Sequence, residues 1–95
     1  MYVYMLTDNL SEDVPELYGS QKRALAELQR RFKETLDDTI YLTDKDKETL
    51  KKDFKENKTW FTIIDAPPEN RNTIFAKPYE ILFIRSCSVT KEYIK

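Results

Sequence analysis

The order of the patterned segments constrains this chain most, because two helix-forming segments stand between strand-forming segments at its two ends. Residues 2–6 (YVYML) and 59–64 (TWFTII) are rich in the aromatic and β-branched residues that favour strands. The first is apolar on both faces, which predicts a central strand. Residues 79–89 form the longest strand candidate, with 81–84 at its centre, and should pair with 59–64 as a hairpin.

The first helical segment follows a short strand candidate at Leu17 and Tyr18. Its apolar residues recur at intervals of three or four, which is the period of one helix face. They are Leu25, Leu28, Phe32 and Leu36. Ser20 is a favourable N-cap, so we predict a helix over 20–36. Residues 39–42 are apolar and β-prone, and we expect a short edge strand there.

The second helical segment begins after Thr43, which together with Asp46 forms a pattern like a capping box. We predict that this helix runs to about residue 56 and that Asn57 ends it. Its apolar stripe is thin and consists chiefly of Leu50 and Phe54. A thin stripe indicates a surface helix that is anchored by those two side chains.

These segments together predict an α+β fold, a small three- to four-stranded, mainly antiparallel sheet covered by two helices. The 95 residues suffice for a single domain, 1–95, with one core. The centres of the strongest periodic segments supply the expected core residues. These are Phe32, Trp60, Ile81 and Phe83.

The composition excludes several classes of active site. The chain has one glycine, Gly19, whereas phosphate-binding loops need several so that the backbone can approach the phosphate. It has no histidine, the usual general base and metal ligand, and its only cysteine is Cys87. We therefore expect a protein without enzymatic activity, cofactor or bound metal. No segment has 18 consecutive apolar residues, so we expect a cytoplasmic protein.

Three local patterns could indicate a catalytic or metal-binding site, but a structural role explains each of them more simply. Asp44, Asp46 and Glu48 alternate as in a calcium loop, but the central glycine is missing, and acids favour the start of a helix. Residues 53–55 (DFK) match an acid-x-Lys signature of some nucleases, but in those proteins it lies on a strand. Cys87 has no histidine to activate it, so we expect a packed side chain.

Residues 20–33 of the first predicted helix carry five cations and one acid, Glu27, and thus a net charge of +4. The cations are Lys22, Arg23, Arg30, Arg31 and Lys33. Such a face can bind an acidic protein surface or phosphate groups. The whole chain has a net charge of −1 and a pI near 5.5, whereas nucleic-acid binders usually have a basic excess. We therefore favour a protein partner and keep nucleic-acid binding as the alternative.

The predicted loop over residues 65–78 is the second candidate interface, because long loops in small domains are often functional. Ile74 and Phe75 have no clear place in a strand, and Arg71 and Tyr79 lie nearby in the sequence. An apolar pair beside these side chains would make an interface centre. Alternatively, Ile74 and Phe75 begin the last strand. A further alternative is a subunit of a homo-oligomer that uses this pair and the edge of the sheet.

The first third of the chain resembles small phage-encoded and prophage-encoded accessory proteins. The resemblance is carried by YVYMLTD, then ELYGS, then QKRALAELQRRF, which read as a strand, a short strand and a helix. Anti-CRISPR proteins are one functional group among such short chains. The resemblance implies a stoichiometric inhibitor that occupies the surface of a host nuclease or another defence protein. Apart from the resemblance, we expect a monomer or homodimer. It is a likeness of element order and size, so it assigns no role to individual residues.

Overall fold

A computed structural model describes residues 1–10, 15–67 and 83–94 of this chain. Four strands and two helices follow one another along these residues. They are β1 (Tyr2–Asp8), β2 (Glu16–Tyr18), α1 (Gln21–Asp37), α2 (Asp44–Asn57), β3 (Trp60–Asp65) and β4 (Phe83–Tyr93). The strands form one antiparallel sheet, so the predicted α+β class is confirmed.

The strand order in the sheet is β2-β1-β4-β3, which places β1 between two neighbours as predicted. The last two strands pair as the expected antiparallel hairpin, with Cys87 opposite Phe61. β4 continues to Tyr93, four residues past its predicted end at Val89, because it pairs with β1 as far as Tyr2. Residues 79–82 of the predicted strand lie outside the described part of the chain.

The core lies on one face of the sheet, between the strands and the apolar stripe of α1. Alternate strand residues point to this face, as the period of two requires. The strands contribute Leu6, Phe61, Ile63, Cys87 and Val89, and α1 contributes Ala24, Leu28, Phe32 and Leu36. Burial of each large apolar side chain stabilises the fold by about 1.5–3 kcal/mol. Phe83 is half-buried and packs against the edge of this core.

The second helix begins with a complete capping box. The Thr43 hydroxyl accepts a hydrogen bond from the Asp46 amide at 3.1 Å, and the Asp46 carboxylate accepts one from the Thr43 amide at 3.0 Å. None of its residues is fully buried, and Leu50 and Phe54 attach it to the core as predicted. The helix ends at Asn57, and Lys58 follows in the left-handed conformation with φ 66°.

The predicted edge strand over residues 39–42 does not form. The backbone amides of Ile40 and Tyr41 both donate to the carboxylate of Asp65, at 2.9 Å each. Asp65 ends β3 and is completely buried, and each of its two carboxyl oxygens accepts one of these hydrogen bonds. The β-prone residues of this segment therefore form an interhelical connection that one carboxylate holds, and the apolar side chain of Ile40 stays exposed.

The prediction that Trp60 belongs to the core is wrong. Phe61 and Ile63 point to the helix-covered face of β3, so Trp60, which alternates with them, points to the other face and is 50% exposed. A sheet that is covered on one face buries only every second residue of a strand. Because residues 59–64 are apolar or aromatic at both alternating sets of positions, their sequence does not show which set is buried. Ile81, another expected core residue, lies outside the described residues.

Candidate protein-binding groove

The five cations predicted to form a basic face on α1 differ in their environments. Lys22, Arg23 and Lys33 are exposed. Arg30 is also exposed, but its guanidinium donates to Glu27 at 2.6 Å and to Glu34 at 2.7 Å. Its charge is thus largely compensated by the same helix.

Arg31 is buried, which contradicts its expected place on the exposed face. Its guanidinium donates to Asp8 at 3.2 Å, Glu16 at 2.7 Å and Glu27 at 2.9 Å. Asp8 also accepts from Arg85 at 2.6 Å, so this cluster ties β1, β2 and β4 to α1. The helical period places position 31 on the same buried face as Leu28 and Thr35. The apolar part of an arginine side chain can pack on such a face while its guanidinium reaches hydrogen-bond acceptors.

The charge state of Asp8 fits this structural role. Burial alone would raise its pKa, but hydrogen bonds from Arg85 and from the Leu10 amide hold the pKa below its usual range. Asp8 is therefore an ionised, fully paired carboxylate at neutral pH. Its oxygens accept hydrogen bonds from α1 and β4, so this buried cluster holds the helix against the sheet.

The predicted loop interface cannot be placed on the structure. Its four residues, Arg71, Ile74, Phe75 and Tyr79, lie outside the described residues.

A groove lies between α1 and α2 on the described residues. Its volume is about 580 Å³, within the range of ligand-binding sites. Apolar side chains form its floor. They are Leu25, Phe32 and Leu36 from α1 and Phe54 from α2. The rings of Phe32 and Phe54 stack with centroids 4.4 Å apart, and both meet Phe61 edge-on, so the floor is a packed surface continuous with the core.

Lysines form the rim of this groove. Lys33 stands on the α1 side, and Lys51, Lys55 and Lys58 follow one another along the α2 side. All four are exposed. Among the described residues, Gln29 is the only other polar one that lines the groove, and none of those lining it is an acid. Lys51 contacts Glu48 at 3.6 Å, but both side chains are more than half exposed, so this pair is weak.

The chemistry of the groove favours a ligand that is apolar on one side and anionic on the other. Its floor would bury apolar side chains, and its rim would pair with carboxylates or phosphates in a site of reduced dielectric constant. The floor and rim contain no nucleophile–base pair. The arrangement can therefore bind and orient a ligand.

The patterns with a possible catalytic or metal-binding meaning occupy structural positions. Asp44 and Asp46 lie in the first turn of α2, where Asp46 completes the capping box. Residues 53–55 are helical, and Lys55 belongs to the groove rim. Burial, followed by the nearby charge of Asp8, raises the pKa of Cys87 to about 12, so its thiol stays protonated and packs in the core.

The described part of the chain contains no group of three or more His, Cys, Asp or Glu side chains that could hold a metal ion. Neither described helix is long and apolar enough to cross a membrane. Comparison with protein families, with curated protein sequences and with solved structures gave no significant match. The function must therefore be argued from the groove itself.

Sequence reasoning identified Lys33 but missed Lys51, Lys55 and Lys58. Part of the signal was present, because Lys51 and Lys55 are four residues apart and thus share one face of α2, whereas Lys58 follows the end of that helix. It was obscured because α2 carries as many acids as bases, and one of the acids, Glu48, contacts Lys51 on the same face. Only the packing of Phe54 against Phe32 shows that the lysine face borders an apolar surface.

Proposed function

We propose that this protein is a non-enzymatic binding module that engages an acidic surface of a partner protein through the groove between α1 and α2. One observation carries the proposal: in the part of the chain that the structure describes, four exposed lysines and no acid line the groove around its apolar floor at Phe32 and Phe54. Protein interfaces combine an apolar centre with a charged rim, and complementary charge supplies specificity and association rate.

Inhibition is the narrower form of this proposal. In the sense implied by the resemblance to phage-encoded proteins, the groove would occupy the surface of a host defence nuclease and block it sterically. A protein that works by occupancy needs a binding surface and no catalytic group, which agrees with the chemistry of the groove.

Nucleic-acid binding through α1 has less support than a protein partner. Arg30 and Arg31 both pair with carboxylates of the chain itself, so two of the five cations of α1 are already compensated. The exposed lysines lie instead beside an apolar floor, which a phosphate backbone would leave unused.

Two labelled leucine-rich peptides test the proposal, one with glutamates and one with lysines at the polar positions. We expect the acidic peptide to bind and the basic one not to bind, as measured by fluorescence anisotropy. The triple change Lys51→Glu, Lys55→Glu, Lys58→Glu should weaken binding about tenfold or more, because three charge pairs become repulsive.

The matched control is the triple change Lys22→Glu, Arg23→Glu, Lys52→Glu. It alters the net charge equally, and its three residues are exposed and do not line the groove. We expect this control to change the affinity less than about twofold, because screening limits the reach of exposed charges to about 8 Å at physiological salt. Equal losses in both triple variants would refute the groove as the binding surface. Melting curves on the same samples must show that both variants fold.

A further inference from the structure

The rim and floor of the groove have a linear arrangement that restricts the shape of its occupant. Lys51 and Lys55 lie one turn apart on α2 and Lys58 follows the end of this helix, so the three lysines extend over eight residues, or roughly 10 Å. Leu25, Phe32 and Leu36 extend over twelve residues of α1, or roughly 16 Å. The site is therefore a strip of about three helical turns, with charge along one side.

A small amphiphile with a single anionic head does not match this arrangement. Its head could approach one or two lysines. The ammonium groups of the other rim lysines would then have no anion of the ligand beside them. A ligand that uses the whole rim needs several anions spread over the roughly 10 Å between Lys51 and Lys58. That requirement points to a polypeptide.

The backbone of the groove distinguishes a helical occupant from an extended one. Except for Lys58, which follows the end of α2, every lining residue lies within α1 or α2. The backbone groups inside a helix are bonded to one another, so the walls offer an entering strand no hydrogen bonds. A strand would bury unpaired amides and carbonyls there, whereas a helix satisfies its own backbone groups.

We propose that the occupant of the groove is an amphipathic α-helix of the partner protein. Its apolar side packs on Leu25 and Phe54, the partly exposed residues of the floor, and acids one helical turn apart face the lysines of the rim. Helices commonly bind in this way, through anchors at positions i, i+3 or i+4, and i+7. This inference rests on the proposed function and specifies the partner segment.

Two peptides of identical leucine and glutamate composition, each about 18 residues long, test the inference, since shorter isolated helices are marginal in water. One places leucines at helical spacing with glutamates beside them, and the other alternates the two residues strictly. We expect the helical peptide to bind at least tenfold more tightly and to gain helical circular dichroism on binding. The Lys51→Glu, Lys55→Glu, Lys58→Glu variant should abolish this preference.

A charge exchange tests the contact itself. Lys55→Glu should weaken binding of the helical peptide several-fold. A peptide with lysine in place of the central glutamate should bind this variant more tightly than it binds the wild type. Rescue supports a direct pairing, and its absence overturns the proposed alignment. The melting temperature of the variant shows whether it is folded.

The outcomes separate the two proposals. Equal or tighter lysine-dependent binding of the alternating peptide would overturn the helical occupant and leave the groove as a protein-binding surface. Full displacement of the helical peptide by dodecanoate at comparable affinity would assign the groove to a small amphiphile, and the helix proposal would fail. If neither acidic peptide binds in a lysine-dependent manner, both proposals fail.

Discussion

Replacing Asp8 with asparagine should destabilise this protein severely, because the buried ionic cluster depends on that carboxylate. The Asp8 side chain is 1% exposed and accepts hydrogen bonds from Arg85, Arg31 and the Leu10 amide. Asparagine keeps nearly the same shape but loses the charge and turns a hydrogen-bond donor toward the cluster. The two guanidinium groups would then be left in a largely buried site with less compensating charge.

The expected cost follows from this geometry. Removing one partner of a buried ion pair typically costs about 3–5 kcal/mol, because the remaining charge stays desolvated. A domain of this size has a total stability of about 5–14 kcal/mol. At about 4–8 °C per kcal/mol, the melting temperature should fall by at least about 12 °C. The expected cost of Asp8→Asn is thus a large share of the total free energy of unfolding.

Urea denaturation followed by circular dichroism measures this free energy. Glu34→Gln is the matched control, because Glu34 also contacts arginines, at 2.7 Å from Arg30 and 4.0 Å from Arg85, but its side chain is 49% exposed. We expect the control to cost under about 1 kcal/mol. A loss below about 1 kcal/mol for Asp8→Asn would show that the cluster contributes no more than surface ion pairs do.

Two further predictions concern the core and the response to acid. Phe32→Ala should cost about 3–5 kcal/mol in a urea titration, because Phe32 is 5% exposed and contacts two other rings, whereas Trp60→Ala should cost under about 1 kcal/mol. Equal losses would mean that the outer face of β3 is covered. Hydrogen bonds from Arg30 and Arg31 lower the folded-state pKa of Glu27 from 4.5 to about 2, so its ionisation stabilises the fold above pH 4.5 and loses this effect as the pH falls toward 2. The stability difference between wild type and Glu27→Gln should therefore shrink over that range, and a constant difference would contradict the pairing.

The sequence by itself determined the local structure. The apolar spacing of α1, the Thr43–Asp46 capping box and the alternation in the last two strands predicted both helices within a residue or two, together with the antiparallel hairpin. Such features depend on neighbours a few positions apart, which the linear sequence contains. The thin stripe of Leu50 and Phe54 also predicted correctly that α2 lies at the surface.

The tertiary structure decided which side chains meet. Because the helices cover only one face of the sheet, Phe61 is buried and Trp60 is exposed. The carboxylate of Asp65 accepts hydrogen bonds from the β-prone segment between the helices, which therefore forms a connection and not a strand. Arg31 belongs to an ionic cluster because its partners come from strands distant in the sequence. The groove exists only because Phe54 stacks on Phe32, so the lysines of α2 gain an apolar neighbour that no local pattern shows.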